Sequence, residues 1–509
     1  MPKEREIELK LAIQPADVAA FRRLPLLREK CIGEPKRRRV FNVYFDTPAM
    51  ALHECAMALR LRKTDGRWLQ TLKTAGLTTS GLHQRGEWEF SLRAPQLDLA
   101  LFRETPLAAL PESREMHLTL KPVFTTDFYR TTWLIEFAPG QRVEVALDQG
   151  TVRCGDHQSV ICEVEIELIE GGATVVFDVA LALAGQIDLQ PDTLSKAERG
   201  YRLFRHEPLV PQRARTVELK RKWSAQQAMQ SIVGACLCHL DANVDGALAS
   251  DDLEYIHQLR VALRRLRSAI RIFRPAQAEQ ITAELKWLTT EMGGARDWDV
   301  LILQTLPALL DGYGEPQLGG ELMRSAVVRQ SDARTAARAA LASTRACILR
   351  LSLARWVSDP GQLTLLPVAH VGDGDAVQGP GLQKLRGFAS REIRRRQRHL
   401  LRANGALAGL SAEARHRIRI DTKKLRYAVE FFACIFDNHR VTRYAKILED
   451  IQDLLGEAND GHVAMRLVTT LTPPERFSDF ARGWFAARAR STLEVVDVRL
   501  DELRKAKPF

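Results

Sequence analysis

Glu6-Ile7-Glu8-Leu9-Lys10 decides the reading of the first two hundred residues. Charged and apolar side chains alternate strictly through it and on into Leu11. That is the period-two pattern of a strand, with Glu6, Glu8 and Lys10 on one face and Ile7, Leu9 and Leu11 on the other. A single solvated strand shows the same alternation. Repetition separates the two readings. The pattern returns in Leu59-Arg60-Leu61-Arg62-Lys63, in Arg85-Gly86-Glu87-Trp88-Glu89 and in Cys162-Glu163-Val164-Glu165-Ile166-Glu167-Leu168. Several strands of this kind describe a barrel turned inside out, with apolar faces packed outward against covering elements and a charged interior. Such an interior has to be compensated, because an isolated buried charge is very costly. Carboxylates suit a hard divalent cation, and Arg and Lys suit a phosphate chain.

The length of 509 residues implies more than one domain. Apolar residues make up 45% and charged residues 27%, ordinary values for a soluble globular chain. No stretch reads as the run of ~20 apolar residues that a membrane span needs. The chain passes from Met-Pro directly into charged strand, so no signal peptide is expected. Eight cysteines are scattered without a Cys-x-x-Cys pair, which fits reduced thiols in a cytoplasmic protein. Charge is unevenly placed. Residues 1–206 carry 8 Lys and 20 Arg against 28 Asp plus Glu, so the whole +11 excess lies beyond them. A neutral domain rich in both signs is joined to a basic one, whose expected partner is a polyanion.

His206-Glu207-Pro208-Leu209-Val210-Pro211 reads as a linker because of its two prolines. Beyond it the period changes to about 3.6. Leu259, Leu263, Leu266 and Ile270 fall on one stripe, and Ile418, Leu425, Val429 and Phe432 on another. An internal repeat runs through this all-α region. His257-Gln-Leu-Arg260-Val-Ala-Leu-Arg264-Arg265-Leu-Arg267 aligns without gaps with His416-Arg-Ile-Arg419-Ile-Asp-Thr-Lys423-Lys424-Leu-Arg426. The segment around Gly293 and Asp297 aligns likewise with that around Gly456 and Asp460. Two related halves are expected, about 217–358 and 382–509, joined by a Gly/Pro/Asp-rich run from about Asp359 to Gly381. In each half the His, the Arg and the basic pair share one helix face, which crowds like charges. One such face reads equally well as solvated or as paired with neighbouring acids. Its recurrence with His at the head points to a bound anion. His370, His439 and His462 read as structural.

The N-terminal strands resemble the CYTH or triphosphate tunnel metalloenzyme family, and within it the bacterial inorganic triphosphatases. The resemblance covers residues 2 to about 204. It also rests on Asn42-Val-Tyr-Phe-Asp46-Thr-Pro48, Gly81-Leu-His-Gln-Arg85, Thr126-Asp-Phe-Tyr-Arg130, Ala146-Leu-Asp148-Gln-Gly150 and Ser195-Lys196-Ala-Glu-Arg199-Gly-Tyr201. The repeated helical half resembles the CHAD domain, commonly fused behind CYTH domains, which implies polyphosphate binding. The expected fold is therefore multidomain: an N-terminal antiparallel β-barrel tunnel (α+β) over 1–205, a linker over 206–216, and an all-α domain of two pseudo-symmetric halves over 217–509.

What the first resemblance implies is hydrolysis of inorganic triphosphate (PPPi) to pyrophosphate and phosphate with Mg²⁺ or Mn²⁺. Glu6, Glu8, Asp148, Glu163 and Glu165 match the metal-binding carboxylates. Lys10, Arg60, Arg62, Lys73, Arg130, Lys196 and Arg199 match the phosphate-binding cations. Glu163, Glu165 and Glu167 share a strand face, so the metal pair stays open by one register step. Glu87 stands in the catalytic set, but for it and Glu89 a salt bridge to Arg85 or Arg93 is an equal reading. Arg37-Arg38-Arg39 follows Pro35 and reads as a solvated loop or a tunnel mouth, and Trp88, Trp133 and Phe128 read as outer packing. The second resemblance assigns His257, Arg260, Arg264, Arg265, Arg267, His416, Arg419, Lys423, Lys424 and Arg426 to polyphosphate, in a protein expected in the cytoplasm or at polyphosphate granules. Rival readings are an organic triphosphate substrate (thiamine triphosphate, a nucleotide or an RNA 5′ end) or a polyphosphate-binding protein whose barrel is secondary. Nucleic-acid binding is disfavoured because the basic faces lack interleaved aromatic residues.

Overall fold

The computed structural model describes residues 6–74, 76–109, 119–275, 278–359, 384–402, 407–436 and 438–509. The expected connection between the helical halves, and His370 within it, lie outside the described residues. The chain divides into two compact units, Met1–Val210 with Ala342–Asp359, and Pro211–Leu341 with Pro360–Phe509.

The first unit is built on antiparallel strands. They are β1 (Glu6–Ile13), β2 (Lys36–Asp46), β3 (Met57–Thr64), β4 (Arg67–Thr74), β5 (Leu77–Thr79), β6 (Leu82–Arg85), β7 (Glu87–Leu92), β8 (Lys121–Ala138), β9 (Gln141–Cys154), β10 (His157–Glu170) and β11 (Leu189–Pro191). Their order is β5-β6-β1-β10-β9-β8-β2-β3-β4-β7, with β11 alongside β1. β6 and β7 are successive pieces of one strand, interrupted only at Gly86. β6 pairs with β1 through Arg85↔Glu6, and β7 pairs with β4 through Glu87↔Lys73. Residues 82–92 thus join the two edges of the curled sheet and close it into a barrel. Gly86 is required at that junction, since a Cβ there would meet the Trp88 ring at 2.5 Å. The β3–β4 hairpin turns on Asp65-Gly66, both at positive φ (48° and 75°), the geometry that tight hairpins favour.

Alternation puts the apolar side chains outside. Leu9 and Leu11 of β1, Val145 and Leu147 of β9, and Val164 and Ile166 of β10 are fully buried. Four of the unit's helices matter here: α1 (Val18–Phe21), α2 (Pro25–Glu29), α3 (Ala51–Glu54) and α4 (Thr174–Ala184). α4 covers β1, β9 and β10. Over β3 and β4, Leu59 and Leu72 pack with Leu52, Phe102 and Leu107. α5 (Lys196–Arg205) begins with a capping box in which Ser195 Oγ accepts from Glu198 N–H while the Glu198 carboxylate accepts from Ser195 N–H. It lies so close to the sheet that a Cβ at Gly200 would be 2.1 Å from the Phe124 ring.

The segment 342–359 belongs to this unit although in sequence it falls in the first helical half. Its helix, α11 (Thr344–Ser358), packs on α4 and β11. Arg355 forks onto Asp178 of α4 at 2.6 and 3.3 Å, and the buried Arg350 donates to Pro191 O at 3.3 Å.

The second unit holds α6 (Ala225–Ala249), α7 (Leu253–Phe273), α8 (Ala278–Val300), α9 (Leu306–Tyr313), α10 (Pro316–Ala342), α12 (Leu385–Leu400), α13 (Ala412–Phe432), α14 (Asn438–Thr470) and α15 (Glu475–Lys505). Both expected apolar stripes, on α7 and α13, are buried. Trp298, Leu306, Leu322, Val468 and Phe477 form a core shared by α8, α9, α10, α14 and α15. The stretch expected to be linker takes part from residue 211 onward. The Asn243 side chain exchanges hydrogen bonds with the Gln212 backbone at 2.9 Å in both directions, and Val217 and Leu219 are buried. Among the described residues one helix, α6, qualifies the expectation that no stretch reads as a membrane span. By length and composition it is apolar enough to cross a membrane, with mean hydropathy 1.2 over a window that is 61% buried within the unit.

The place of α11 generates a test. A fragment ending at residue 205 removes the cover of α4, whose Phe177, Val179 and Leu183 are fully buried. Thermal unfolding with an apolar-surface dye should show that fragment less stable and stickier than the full chain. An equally stable, non-binding fragment would refute the role given to α11.

Candidate active site and anion cavity

The charged faces of the strands meet inside the barrel around a cavity of about 580 Å³. Three carboxylates, Asp148 of β9 and Glu163 and Glu165 of β10, converge within this charged interior, fully or almost fully buried, with an oxygen from each within 4.8 Å of the others, and Glu165 of the three lines the cavity. Strand register explains the meeting: Glu163 is the direct partner of Asp148, and Glu165 lies opposite Lys10 of β1. Three cations answer them. Lys196 Nζ reaches Asp148 at 2.6 Å, Glu163 at 2.5 Å and Glu165 at 2.9 Å. Lys10 lies 2.7 Å from Glu165 and 3.3 Å from Glu163. Arg130 forks onto Asp148 at 2.8 and 2.6 Å and also pairs with Glu165. A lysine in the first turn of α5 opposes the helix dipole, and the carboxylate cluster it enters offsets that cost. Arg199 pairs with Asp192 and reaches Glu163 at 3.2 Å.

Glu6 and Glu8 share this interior but stand apart from the triad. Lys73 holds Glu6 at 2.8 Å, and Arg85 bridges Glu6, at 3.0 Å, and Glu8. The five expected metal carboxylates therefore fall into two groups, because β1 pairs Glu8 with Glu167 and places Lys10, not an acid, beside Glu165. Glu87 and Glu89 do form salt bridges, although not with Arg85 or Arg93. Glu87 meets Lys73 at 3.1 Å and Arg60 at 3.5 Å, and Glu89 meets Arg62 at 3.8 Å. Arg62 also donates to Asn42 Oδ1 at 3.0 Å.

Two further readings are corrected in part. Arg37, Arg38 and Arg39 form strand and not loop, although Arg37 and Arg39 are exposed as expected. Phe128 faces the cavity, although Trp88 and Trp133 pack outside as expected. Arg37, Arg38 and Arg39 lie in β2, where Arg38 lines the cavity, Arg37 stacks on Tyr129 and Arg39 forks onto Asp127. Trp133 packs outside against Phe21 and Trp88 joins the outer cluster, whereas Phe128 lines the cavity with Lys196 4.9 Å from its ring. Arg85, like Arg38, was missed as a site member. Its phase with Glu87 and Glu89 was the available signal.

Burial opposes charge throughout this interior, and the pairing overrides it. Burial pushes the Glu163 carboxyl up, but Lys10, Lys196 and Arg199 bring it down to about 2. Against the same burial, Lys10 and Lys196 hold Glu165, and Lys73 and Arg85 hold Glu6, well below the usual range. Burial, with Arg60 and Arg130, lowers Arg62 to about 10. The converging hard oxygens suit Mg²⁺ or Mn²⁺, and the triad fits such an ion by donor type and spacing.

A second cavity, of about 540 Å³, lies in the helical unit. His257, Arg260 and Arg264 of α7 line it together with Arg419 and Lys423 of α13. The repeated acids join them: Arg260 lies 3.6 Å from Asp297, and Asp460 also faces the cavity. Arg260 passes over Gly293, where a Cβ would be 2.9 Å from Nη1. Arg296, Asp453, Glu457, Trp484 and Arg488 also line it and were missed because the sequence face contained only one helix from each half. A π-helical turn, Leu301–Thr305, follows α8 beside the cavity and contributes Gln304 and Thr305.

The remaining expected cations point elsewhere. Arg265 is buried, paired with Glu430 and packed over Phe431. Arg267, Lys424 and Arg426 do not line the cavity: Lys424 pairs with Asp421 at 2.7 Å, and Arg426 lies over Tyr427. His416 is exposed, as are His439 and His462. Burial lowers His257, with Arg296 adding to the effect. Burial, Arg419 and Arg264 lower Lys423 to about 7.

Residues 4–201 match the family model of the CYTH domain, and residues 231–469 match that of the CHAD domain. The inorganic triphosphatase of Haemophilus influenzae is 38% identical over 201 residues, which are 39% of this chain and 55% of that protein. The chain thus spans about half the length of that curated relative. The crystal structure of the CHAD domain from the plant Ricinus communis aligns at 30% identity, covering 59% of this chain and 99% of its own, with a TM-score of 0.50.

The depressed carboxyls set a direction for acid stability. A group whose folded pKa lies below its unfolded value stabilises fully above the unfolded value, and loses that contribution as pH falls through the folded one. For Glu163 the window runs from 4.5 down to about 2. Urea midpoints for the barrel should fall as pH drops below about 4.5, and more gently in Glu163→Gln. A midpoint flat to pH 3 would contradict the pairing.

Proposed function

The chain carries a CYTH domain followed by a CHAD domain, and from that premise we propose that it is a metal-dependent inorganic triphosphatase whose helical unit binds polyphosphate. The observation that carries the reading is one closed barrel holding a buried carboxylate triad and a facing wall of arginines and lysines. Splitting PPPi requires water to attack a terminal phosphorus while the bond to the bridging oxygen breaks and pyrophosphate leaves. That reaction needs charge neutralisation and alignment more than covalent help. Asp148, Glu163 and Glu165 would hold Mg²⁺ or Mn²⁺, which would supply phosphate-charge neutralisation and a more acidic bound water. Arg60, Arg62 and Arg130 offer planar forks that match phosphate oxygens two at a time, while Lys10, Lys73 and Lys196 act as point charges. Arg62, with one neutral partner and a distant carboxylate, is the readiest to exchange its contacts for phosphate.

Phosphate release from PPPi, thiamine triphosphate and ATP, with and without EDTA, tests the reading. PPPi should be preferred and EDTA should abolish turnover. Glu163→Gln and Asp148→Asn should lower kcat by about 100-fold or more while circular dichroism stays native. Full activity in EDTA or in both variants would sink the metal assignment. Arg60→Lys, Arg62→Lys and Arg130→Lys should each lower kcat/KM by about tenfold, because a point charge does not replace a fork. Three unchanged values would remove these arginines from the phosphate site.

Polyphosphate binding in the helical cavity should depend on pH through Lys423. With its pKa near 7, this side chain gains its charge as pH falls through neutrality, so the full chain should bind long polyphosphate more tightly at pH 6 than at pH 8.5. Binding should also weaken steeply with salt, as for other dense polyanions. Lys423→Arg should remove the step near pH 7, and a step that survives the substitution would assign it to another group.

A further inference from the structure

α7 and α13 present cations on two sides. Their inner sides line the central cavity described above, while Asp421 and Lys424 of α13 line another, of about 910 Å³. This one lies between the end of α7, the start of α8 and the face of α12. Arg271, Arg274, Arg395, Arg396, Arg398 and Arg402 surround it, with Ile270, Pro275 and Ile420 in its wall. Its carboxylates, Glu279 and Asp421, do not balance these cations. Asp421 takes Lys424 at 2.7 Å and His399 at 3.2 Å, and the nearby Glu392 takes Arg395 at 2.8 Å and Arg396. Among the described residues, no carboxylate lies within ion-pair reach of Arg271, Arg274, Arg398 or Arg402. Arg274 caps α7 at a φ of 48°, a left-handed conformation usually left to glycine. The fold thus keeps an arginine at the cavity in a conformation that costs it stability.

Several guanidinia gathered at one concavity repel one another unless an anion joins them, and their forks match phosphate oxygens in pairs. Among the described residues no Phe, Tyr or Trp lines the cavity, which gives no stacking platform of the kind that single-stranded nucleic acid uses. We propose that this cavity is a second anion site, separate from the central one, which takes the oligophosphate group of a small molecule. That group can come from inorganic pyrophosphate or from the phosphate tail of a nucleotide, where Ile270, Pro275 and Ile420 meet the organic part. The inference stands on these residues alone and holds whether or not the central cavity binds polyphosphate.

Hydrogen exchange of the full chain with pyrophosphate, ADP and DNA of matched charge tests it. Pyrophosphate or ADP should protect peptides covering 268–275 and 392–402. Protection by pyrophosphate assigns an inorganic source, and stronger protection by ADP assigns a nucleotide. Arg271→Ala/Arg398→Ala/Arg402→Ala, at three exposed positions, should weaken that binding at least about tenfold with thermal unfolding and PPPi turnover unchanged. Arg260→Ala/Lys423→Ala in the central cavity should leave it intact. The proposal is overturned by no protection from either phosphate, by equal protection in the triple variant, by its loss in the central-cavity variant, or by preference for DNA.

Discussion

The pairing of Asp148, Glu163 and Glu165 with Lys10, Arg130 and Lys196 is the constraint on which the barrel unit rests. Six ionised groups removed from water would each cost several kcal/mol unpaired. Any one deleted alone leaves its partner buried and exposed to that cost. Four separate elements, β1, β8, β9 and β10, and the first turn of α5 supply the six, so the network ties together strands far apart in sequence. The outer apolar shell drives the collapse, and the inner network makes one register far better than its neighbours. A one-residue slip of β1 against β10 would turn Lys10 outward and Leu9 into the charged interior.

The same arithmetic explains which helices stay with the barrel. An inside-out barrel has no apolar core within and must find apolar cover outside. α4 supplies cover for β1, β9 and β10, but α4 is itself apolar on the side away from the sheet. α11 satisfies that side and is pinned there by Arg355 on Asp178 and by Arg350 on the β11 backbone. β11 in turn leads to Asp192, which holds Arg199 against Glu163. A helix late in the chain is therefore connected by successive contacts to the carboxylate triad.

How much of this was legible in the sequence follows from the range of the forces involved. Period-two alternation is local, and it placed Glu6, Lys10, Arg60, Arg62, Glu163 and Glu165 on inward faces. A barrel was legible from these faces, but which strand closes it was not, because whether residues 82–92 are one strand or two depends on partners at β1 and β4. For that reason Arg85 was set against Glu87 and not against Glu6. Arg37 to Arg39 misled because Pro35 suggested a loop where it only precedes an edge of β2. On the helices the repeat located the cavity, but eight residues beyond His257 an α-helix has turned about 80° further on, which carried Arg265 into the core against Glu430. The helix α11 carries leucines at 349, 351 and 353, a spacing that names no single face, and so its place against α4 could not be read.

The two units treat surplus charge in opposite ways. Inside the barrel, cations and carboxylates are matched, each side holds the other in its charged form, and the interior can form before any guest arrives. A guest must then exchange partners within a network that is already satisfied, which favours ligands carrying both a cation and phosphate charge together. In the helical cavity Asp297, Asp453, Glu457 and Asp460 are outnumbered by Arg260, Arg264, Arg296, Arg419, Lys423 and Arg488, and burial, with Arg419 and Arg264, drives Lys423 toward neutrality. There the missing charge is negative only, and a polyanion alone removes the strain. Matched charge in the first unit and unmatched charge in the second is thus a physical basis for one site suited to turnover and another suited to retention.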